Sequence, residues 1–434
     1  MRYYLDPFGC AKNQVDAENM MMRLDNARWS AAYDAAGADL IIINSCAFIE
    51  SAKRESINAV LAWRKQYPDK KILLSGCLAQ RYAKELSESL PEADGFFGVD
   101  DIEGIAAKAN SLVKGGGGTE GWEIVSTSSR PLLSLPGSAY VKISEGCDNR
   151  CSFCAIPLIR GPLRCRAVPD IVDECRGLLA RGVKELCIIG QDVGSYWSDG
   201  AELPQLLNAI AAISGNFRVR LLYMHPGHFP LPVLGLMEQD SRFLPYFDIP
   251  FQHASAKILA AMNRRETAED YLLLVATIRR RIPAAVIRTT FLTGFPGETD
   301  ADFSALLDFQ EKLCADWLGC FAYSREEGTP AYAMKGRVSK KTAAQRQREI
   351  EERQIPITER NMDRFIGQSL DVLLEEQFPG EDETLWLGRL YCHAPEVDGS
   401  AVIAAAHPEY KAGDIVPCTV IARRGIDLEL GIRS

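Results

Sequence analysis

Strand-like and helix-like segments alternate along the first ninety residues of the chain. The runs RYYLDPF, ADLIIIN and KILLSG are short and largely apolar, as buried strands are. The segments that follow them, Asp16–Leu24, Ile49–Gln66 and about Ala79–Leu90, have the pattern of helices. Because strands that alternate with helices form parallel sheets covered on both faces, the sequence predicts an α/β, doubly wound amino-terminal domain.

The alternation resumes at about Pro136 and continues through six strand-like runs: AYVKISE, ELCIIGQ, RVRLLYM, YFDIPF, AVIRTTFLTG and WLGCFAYS. Helical or mixed segments separate most of these runs, so about six β/α units are expected. Six units fit an open or partial (β/α) barrel with its chemistry at the carboxyl ends of the strands. The polar segment Ser339–Asp363 is predicted to be one long helix outside the barrel, broken near Pro356.

After Gly367 the helical pattern stops, and short β-like runs are separated by Gly, Pro and Asp. This spacing predicts a small antiparallel β-barrel. A run of glycines at Gly115–Gly118 marks an earlier boundary. We therefore predict three domains, over residues 1–125, 136–366 and 367–434.

The cysteine content indicates a reducing compartment. The 434 residues include 13 cysteines, and the chain opens without a basic leader followed by an apolar stretch. No run of about 18 apolar residues occurs, so no membrane span is expected. A long chain without a secretory leader does not fit a disulfide scaffold. We therefore expect a cytoplasmic protein whose clustered cysteines bind metal or take part in catalysis.

The segment ISEGCDNRCSFCAIPLIRG places Cys147, Cys151 and Cys154 within eight residues. Three thiolates directly after a strand can hold three corners of a cubane iron–sulfur cluster and leave one iron open to a small molecule. A ferredoxin-type electron carrier would supply a fourth cysteine. The alternative is a zinc knuckle, which needs a fourth Cys or His, and none follows before Cys165.

A second set of cysteines is spread over the first domain. Cys10, Cys46 and Cys77 each follow one of the first three strand-like runs. In a parallel sheet these strand ends lie on one edge, where doubly wound folds bind ligands. Any one of these residues alone could be a small buried hydrophobe, as free cysteines often are. Their equivalent positions favour a second cluster site.

The motif formed by Cys147, Cys151 and Cys154 resembles that of the radical S-adenosylmethionine (SAM) superfamily. The resemblance implies a cluster whose open iron chelates SAM. It also implies an external reductant and the reductive cleavage of SAM to a 5′-deoxyadenosyl radical.

Other segments resemble the methylthiotransferases of this superfamily over essentially the whole chain. They are FGCAKNQVDAE, INSCAFIESAKRESI, SGCLAQRY, RTTFLTGFPGETDADF and FAYSREEGTPAY, and the carboxyl-terminal block resembles the family's TRAM domain. The resemblance implies two [4Fe–4S] clusters and SAM as cofactors. By the same resemblance, the cluster at Cys10, Cys46 and Cys77 delivers or relays sulfur.

Methylthiotransferases have two main substrate classes. One branch modifies a tRNA adenosine, and the other modifies an aspartate of the twelfth protein of the small ribosomal subunit. GCAKNQVDAE, DIPFQHAS and GRLYCHAPEVDG are more similar to the second branch. Three residues depart from its pattern, Ala11 in place of proline, Cys165 in place of serine and His393 in place of aspartate, and none is a predicted ligand. We therefore expect methylthio insertion at the β-carbon of that aspartate, with a tRNA adenosine methylthiotransferase as the alternative.

The charge distribution supports the ribosomal-protein branch. Residues 367–434 hold twelve acidic and five basic side chains, a net charge of −7, which leaves −2 of the total −9 for the other 366 residues. An acidic domain repels phosphates and attracts a basic partner. Ribosomal proteins are basic, so this distribution favours such a substrate over direct nucleic-acid binding.

Polar residues at barrel strand ends are the candidates for SAM binding. Gln191 and Asp192 follow the run ELCIIG, and Arg288 and Thr290 lie in IRTTFLTG. Arg288 could equally form a salt bridge within the barrel. His253, after DIPF, either faces the cavity or is a structural histidine.

A function of another class is also open at this stage. The chain could be a non-enzymatic iron–sulfur electron carrier or an RNA-binding module. The three-cysteine motif argues against this alternative, because an electron carrier has no need for an open iron.

Overall fold

The computed structural model describes residues 1–114, 129–379, 384–405 and 410–432. The predicted boundary at Gly115–Gly118 lies outside these ranges. The chain divides into two compact units. The N-terminal unit comprises Met1–Leu133, Ser144–Arg164 and Ser324–Tyr332, and the barrel unit comprises Ser134–Ile143, Cys165–Tyr323 and Ala333–Ser434.

The amino-terminal segment alternates strands and helices as predicted. Its elements are β1 (Arg2–Pro7), α1 (Ala11–Asn26), β2 (Ser30–Ala31), β3 (Leu40–Ser45), α2 (Glu50–Gln66), β4 (Lys71–Gly76), α3 (Cys77–Ser89), β5 (Gly95–Phe97) and α4 (Ile105–Lys114). The strands form one sheet in the order β2-β1-β3-β4-β5, and every pair is parallel. This order is that of flavodoxin-like, doubly wound domains, which confirms the predicted fold class.

The apolar run in β3 explains why both faces of this sheet are covered. Ile41 and Ile43 belong to one hydrophobic cluster, whereas Leu40 and Ile42 belong to a second one, and all four are completely buried. Successive side chains of a strand point to opposite faces, so a continuous aliphatic run requires packing partners on both sides. The two clusters are these two layers of core.

The segment Ser324–Tyr332 forms a buried ion-pair cluster with the rest of the N-terminal unit. The Glu326 carboxylate lies 2.9 Å from Lys53 Nζ on α2 and 2.8 Å from Arg81 Nη1 on α3. The Glu326 side chain is only 2% exposed, so both pairs are protected from water. Removing one partner of such a buried ion pair would leave an uncompensated charge, which is costly. The intact pairs therefore hold this segment in place.

The next part of the chain forms the predicted barrel, except that residues 144–164 belong to the N-terminal unit. Its elements are β6 (Ser138–Lys142), β7 (Ser144–Glu145), α5 (Ile156–Arg160), β8 (Arg164–Cys165), α6 (Val168–Ala180), β9 (Glu185–Ile189), β10 (Trp197–Ser198), β11 (Ala201–Glu202), α7 (Leu203–Ala211), β12 (Arg218–Leu221), α8 (Val233–Gln239), β13 (Tyr246–Asp248), α9 (Ala256–Ala261), α10 (Ala268–Arg281), β14 (Val286–Thr293), α11 (Asp300–Leu313), β15 (Trp317–Ala322) and α12 (Lys340–Asp363).

Six parallel strands of the barrel unit match the six predicted runs. They form two sheets, ordered β12-β9-β6 and β13-β14-β15. An isolated parallel bridge pairs Val219 of β12 with Phe243, three residues before β13. This arrangement confirms the expected partial (β/α) barrel. No helix in the described parts of the chain is long and apolar enough to cross a membrane.

The predicted break of the long helix near Pro356 is wrong, because α12 runs through this residue. Proline removes one N–H donor from the helix, but hydrogen bonds on both sides compensate for that loss. Before the proline, Gln354 Nε2 donates to the Ala315 carbonyl at 2.9 Å. After it, Thr358 Oγ1 donates to the Asp316 carbonyl at 2.8 Å. The proline itself is exposed.

The carboxyl-terminal strands close into a barrel. They are β16 (Ser369–Pro379), β17 (Thr384–Arg389), β18 (Ala401–Ala405), β19 (Ile415–Arg424) and β20 (Asp427–Ile432), in the order β16-β17-β18-β20-β19. Four of the strand pairs are antiparallel, as predicted, whereas β18 and β20 are parallel. Closure removes the exposed edges that five short strands would otherwise present.

A buried ion-pair network lies within the barrel unit. Glu185, at the start of β9, is 2.9 Å from Arg220 Nε and 2.8 Å from Arg389 Nη1. Arg389 also pairs with Glu375 of β16. Burial alone would raise the pKa of Glu185, but the two arginines outweigh it and hold that pKa well below its usual range. The network therefore consists of ionised groups that depend on one another.

We expect Arg389→Met to destabilise the barrel unit by about 3–5 kcal/mol, because it leaves Glu185 and Glu375 buried with less compensation. Chemical unfolding of the purified chain measures this loss. The matched control is Arg424→Met, which removes a surface pair with Glu429 and should cost about 0–1 kcal/mol. Equal losses in the two variants would show that the buried network contributes no more than a surface pair.

His393, which departs from the family pattern, is a second unusual feature of this unit. Its side chain is completely buried and packs edge-on against Trp317, with ring centroids 5.7 Å apart. Neither ring nitrogen has a hydrogen-bond partner among the described residues. Burial, with the nearby charges of Arg220 and Arg389, lowers the pKa of His393 to about 3. The imidazole is therefore neutral in the folded protein at neutral pH.

This histidine should make the barrel unit sensitive to acid. In the unfolded chain this imidazole has a pKa of about 6.5, so below that pH it binds a proton that it does not bind in the folded chain. The free energy of unfolding therefore falls as the pH falls. Between pH 7 and pH 5 the loss from His393 should be about 2 kcal/mol. Between pH 7 and pH 5 the unfolding free energy of the wild type should therefore fall by about 2 kcal/mol more than that of His393→Asn. Parallel pH profiles would contradict the assignment.

Candidate functional site

The structure brings the three amino-terminal cysteines to one edge of the first sheet. Cys10 directly precedes α1, Cys46 follows β3, and Cys77 is the first residue of α3, directly after β4. Their strands β1, β3 and β4 are neighbours in the sheet. The arrangement therefore matches the one expected from the strand-end positions.

Two glycines allow the segments that carry these cysteines to approach closely. Gly9 and Gly76 have φ values of +98° and +91°, which residues with a side chain rarely adopt. A Cβ on Gly9 would lie 3.2 Å from the Cβ of Cys46, and a Cβ on Gly76 would lie 2.5 Å from the Ser45 carbonyl oxygen. Glycine at both positions is thus required by the geometry of this edge.

Asn13 holds the same edge together from α1. Its Nδ2 donates to the carbonyls of Phe8 at 3.1 Å and Ser45 at 2.8 Å. Its Oδ1 accepts a hydrogen bond from the Cys77 thiol at 3.1 Å. Asn44 Nδ2 in turn donates to the Asn13 carbonyl at 2.7 Å. Asn13 therefore fixes the relative positions of the ends of β1, β3 and β4.

A buried arginine lies beside the cysteines. Arg160, the last residue of α5, is 2% exposed. Its Nη2 donates to Cys77 Sγ at 3.1 Å and to Asn13 Oδ1 at 2.6 Å. It also forms ion pairs with Asp16 and Glu145, each at 2.9 Å. No sequence motif pointed to Arg160, although it lies only six residues after Cys154.

The three thiols differ in how readily they ionise. Burial raises the pKa of Cys77 to about 12, although Arg160 acts in the opposite direction. Burial also raises the pKa of Cys46. Desolvation acts the same way on Cys10, but the charge of Lys12 and backbone hydrogen bonds outweigh it, so the pKa of Cys10 is lowered. Because metal ligands must be thiolates, Cys77 depends most on a nearby positive charge.

The donor set of this edge fits an iron–sulfur cluster. Thiolate sulfur is the ligand that such clusters use, and the three cysteines lie at the ends of neighbouring strands of one sheet. Within the ranges that the structure describes, no group of three or more His, Cys, Asp or Glu side chains is arranged to hold a single metal ion. A cubane cluster offers each thiolate its own iron, so its ligands need not converge on one point.

Cys147, Cys151 and Cys154 lie on one loop of the N-terminal unit. Gly146, with a φ of +76°, starts the loop, and the Cys147 amide donates to the Gly161 carbonyl at 3.2 Å. The Cys154 amide donates to the Cys151 carbonyl at 3.0 Å. All three cysteines are partly exposed, which suits thiols that have to reach a cluster. These loop contacts are consistent with the predicted ligand set.

The candidate SAM contacts Gln191 and Asp192 follow β9, as expected. Asp192 is buried and already accepts several hydrogen bonds. Ser195 Oγ donates to it at 2.6 Å, the His225 amide at 3.0 Å, and His228 Nδ1 lies 3.0 Å away. Asp192 thus organises the loops at this end of the barrel, and its contact with SAM stays a prediction.

The second pair of candidates, Arg288 and Thr290, lies on β14. Arg288 forms ion pairs with Asp248 and Asp398, each at 3.3 Å. The structure therefore shows the salt bridge that the sequence left as an alternative for this arginine. Thr290 is partly buried, and its carbonyl accepts a hydrogen bond from the Gln252 amide at 2.8 Å. A role of either residue in SAM binding stays a prediction.

His253 makes local hydrogen bonds. Its Nδ1 accepts hydrogen bonds from the amides of Ala254 at 2.9 Å and Ser255 at 3.0 Å, just before α9. Its side chain is completely buried. Of the two roles that the sequence left open, these contacts support the structural one.

Three family profiles match successive parts of the chain. Uncharacterized protein family UPF0004 matches residues 2–98, the radical SAM superfamily matches residues 141–309, and the TRAM domain matches residues 366–430. These ranges contain, in turn, the first cysteine set, the second cysteine set and nearly all of the closed barrel.

A relative from Treponema denticola, ribosomal protein uS12 methylthiotransferase RimO, is 46% identical to this chain. The similarity covers 98% of this chain and 99% of the relative. The chain belongs to the RimO family. The RimO of Desulfosudis oleivorans is 39% identical and covers 99% of both chains. Membership in the RimO family confirms the predicted radical SAM methylthiotransferase and excludes the non-enzymatic alternative.

Solved structures support the fold. The radical SAM methyltransferase TsrM from Kitasatospora setae matches with a TM-score of 0.58 and 16% identity, over 76% of this chain and 74% of that one. The cobalamin-dependent SAM radical enzyme OxsB matches with a TM-score of 0.51 and 12% identity, over 81% and 56%. At these identities the likeness shows a shared radical SAM fold and nothing about the substrate. The radical SAM fold, together with RimO membership, implies a [4Fe–4S] cluster and SAM.

Proposed function

We propose that this enzyme inserts a methylthio group at the β-carbon of an aspartate in ribosomal protein uS12. The observation that carries the proposal is the end-to-end similarity to proteins named uS12 methylthiotransferase RimO. Similarity over all three family profiles means that the substrate-recognising parts of those relatives have counterparts here. This methylthio insertion would take place in the cytoplasm, where ribosomal proteins are made.

Two [4Fe–4S] clusters are part of the proposal. Cys147, Cys151 and Cys154 would hold the one that binds SAM, which supplies a 5′-deoxyadenosyl radical when the cofactors are bound and reduced. Cys10, Cys46 and Cys77 would hold the second at the edge of the first sheet. Here the protein contributes thiolate ligands, a rigid sheet edge and a compensating charge. An external reductant supplies the electrons.

The remaining sites follow from the same proposal. Gln191, Asp192, Arg288 and Thr290 are the proposed SAM contacts. We also propose domain boundaries at 1–125, 136–366 and 367–434. Residue 125 lies outside the described residues.

The acidic carboxyl-terminal domain is proposed as the surface that meets basic uS12. Not all of its negative charge is available, because Glu375 and Asp398 are buried and paired with arginines. Four further acidic residues lie outside the described ranges, at positions 381–383 and 409. Asp371, Glu376 and Glu396 are exposed and can attract a basic partner from solution.

The experiment is an anaerobic assay with the purified, cluster-loaded chain, SAM, a reductant and recombinant uS12. We expect uS12 to gain the mass of one methylthio group less that of the hydrogen it replaces. A uS12 variant with asparagine in place of the modified aspartate is the control and should gain nothing. Purified tRNA in place of uS12 tests the alternative activity, methylthio transfer to a tRNA adenosine. Modification of tRNA and not of uS12 would overturn the proposal.

A further inference from the structure

We infer that Arg160 is a positioning residue that sets the charge environment of the amino-terminal cluster and ties that cluster to the loop of the SAM-binding one. This inference rests on the proposed function, because it assumes a cluster at Cys10, Cys46 and Cys77. It concerns a residue that the sequence motifs did not single out.

The contacts of Arg160 place a fixed positive charge next to a cluster ligand. Its Nη2 lies 3.1 Å from Cys77 Sγ, the most buried of the three thiols. The charges of Cys77 and Cys10 both act on the guanidinium. Arg160 thus places its positive charge directly against the sulfur of this ligand.

Arg160 also contacts the chain on both sides of the second cysteine set. It ends helix α5, which begins two residues after Cys154. Its Nη1 pairs at 2.9 Å with Glu145, which lies two residues before Cys147. One side chain therefore connects both ends of the loop that carries Cys147, Cys151 and Cys154 with the edge that carries Cys77. A shift of the loop would move the charge beside Cys77.

Asp16 and Glu145 alone do not explain this arginine. Any cation could neutralise these two carboxylates, but the hydrogen bond to Cys77 Sγ is not needed for that purpose. Hydrogen bonds to the sulfurs and the net charge nearby are what set the reduction potential of an iron–sulfur cluster. In a buried, low-dielectric site one unit charge has a large effect. Arg160 should therefore make this cluster easier to reduce.

The test is a redox titration, followed by electron paramagnetic resonance, of the full chain with Cys147, Cys151 and Cys154 replaced by alanine. Only the amino-terminal cluster then contributes to the signal. We expect Arg160→Gln to move its reduction potential to more negative values and Arg160→Lys to restore most of the shift. The matched control is Arg164→Gln, which removes a half-exposed arginine paired with Asp100 at 3.5 Å and should leave the potential unchanged.

A second variant keeps the inference testable if Arg160→Gln fails to hold a cluster. Asp16, at 2.9 Å from Arg160, also acts on Cys77 with the opposite sign. Asp16→Asn should therefore shift the potential to more positive values. An unchanged potential in both variants, or an Arg160→Lys shift as large as that of Arg160→Gln, would overturn the inference.

These outcomes are separate from those of the proposed function. If the potential responds but uS12 is never modified, the substrate proposal fails and the role of Arg160 stands. If uS12 is modified but the potential does not respond, only the role of Arg160 fails. If the chain binds no iron at Cys10, Cys46 and Cys77, the inference about Arg160 fails as well.

Discussion

Replacing Cys151 with alanine is expected to abolish SAM cleavage and methylthio transfer together. The change leaves two thiolates on the loop, and a cubane cluster with two protein ligands and an open iron is not held. SAM would then have no reduced iron to bind. Production of 5′-deoxyadenosine under reducing, anaerobic conditions measures the first activity, and the mass of uS12 measures the second. Both should fall below detection.

The matched control for this variant is Cys165→Ser, since Cys165 lies near the motif in sequence and departs from the family pattern. Its sulfur accepts a hydrogen bond from the Trp197 amide at 3.4 Å, a contact that a serine hydroxyl can also make. We expect both activities to survive this change. Loss of activity in Cys165→Ser, or residual SAM cleavage in Cys151→Ala, would mean that the ligand set is wrong.

Cys77→Ala is expected to separate the two activities. SAM cleavage should continue, because the loop with Cys147, Cys151 and Cys154 is unchanged. Methylthio transfer to uS12 should be lost, because the second cluster loses one of its three ligands. Iron analysis should show that the chain holds one cluster instead of two. The two activities should separate because one set of cysteines is needed for SAM cleavage and the other only for methylthio transfer.

Cys418→Ala is the control for Cys77→Ala, because Cys418 is also buried but lies on β19 of the closed barrel. It should keep both clusters and both activities. If Cys77→Ala still transfers the methylthio group, the first sheet edge is not part of the reaction. If it loses SAM cleavage as well, the two cysteine sets are not independent.

The positions of the cysteines were predictable because they depend on chain topology alone. Cys10, Cys46 and Cys77 follow strands that the aliphatic pattern identifies, and a parallel sheet puts such strand ends on one edge. The structure confirms this placement. The spacing of Cys147, Cys151 and Cys154 is local, so it required no tertiary information at all.

Arg160 and Asn13 could not be found in this way. Their roles depend on contacts between residues that are far apart in sequence, such as Arg160 with Cys77 and Asn13 with Ser45. A buried arginine looks like any other arginine in a sequence. The only available signal was the short distance of Arg160 from the cysteine motif.

Tertiary contacts also explain the remaining differences from the predicted fold. Pro356 favoured a helix break, but hydrogen bonds from Gln354 and Thr358 to the segment before β15 keep α12 continuous. The spacing of the short β-like runs favoured an antiparallel barrel, and four of the five strand pairs are antiparallel, but closure pairs β18 with β20 in parallel. Arg288 could not be assigned between a salt bridge and SAM, because its partners Asp248 and Asp398 are distant in sequence.

The mass of uS12 from cells with and without the gene for this chain is the most direct test of the proposed function. We expect uS12 from the deletion strain to lack the mass of one methylthio group on its aspartate, and a plasmid copy of the gene to restore it. The same uS12 mass in both strains would contradict the proposal.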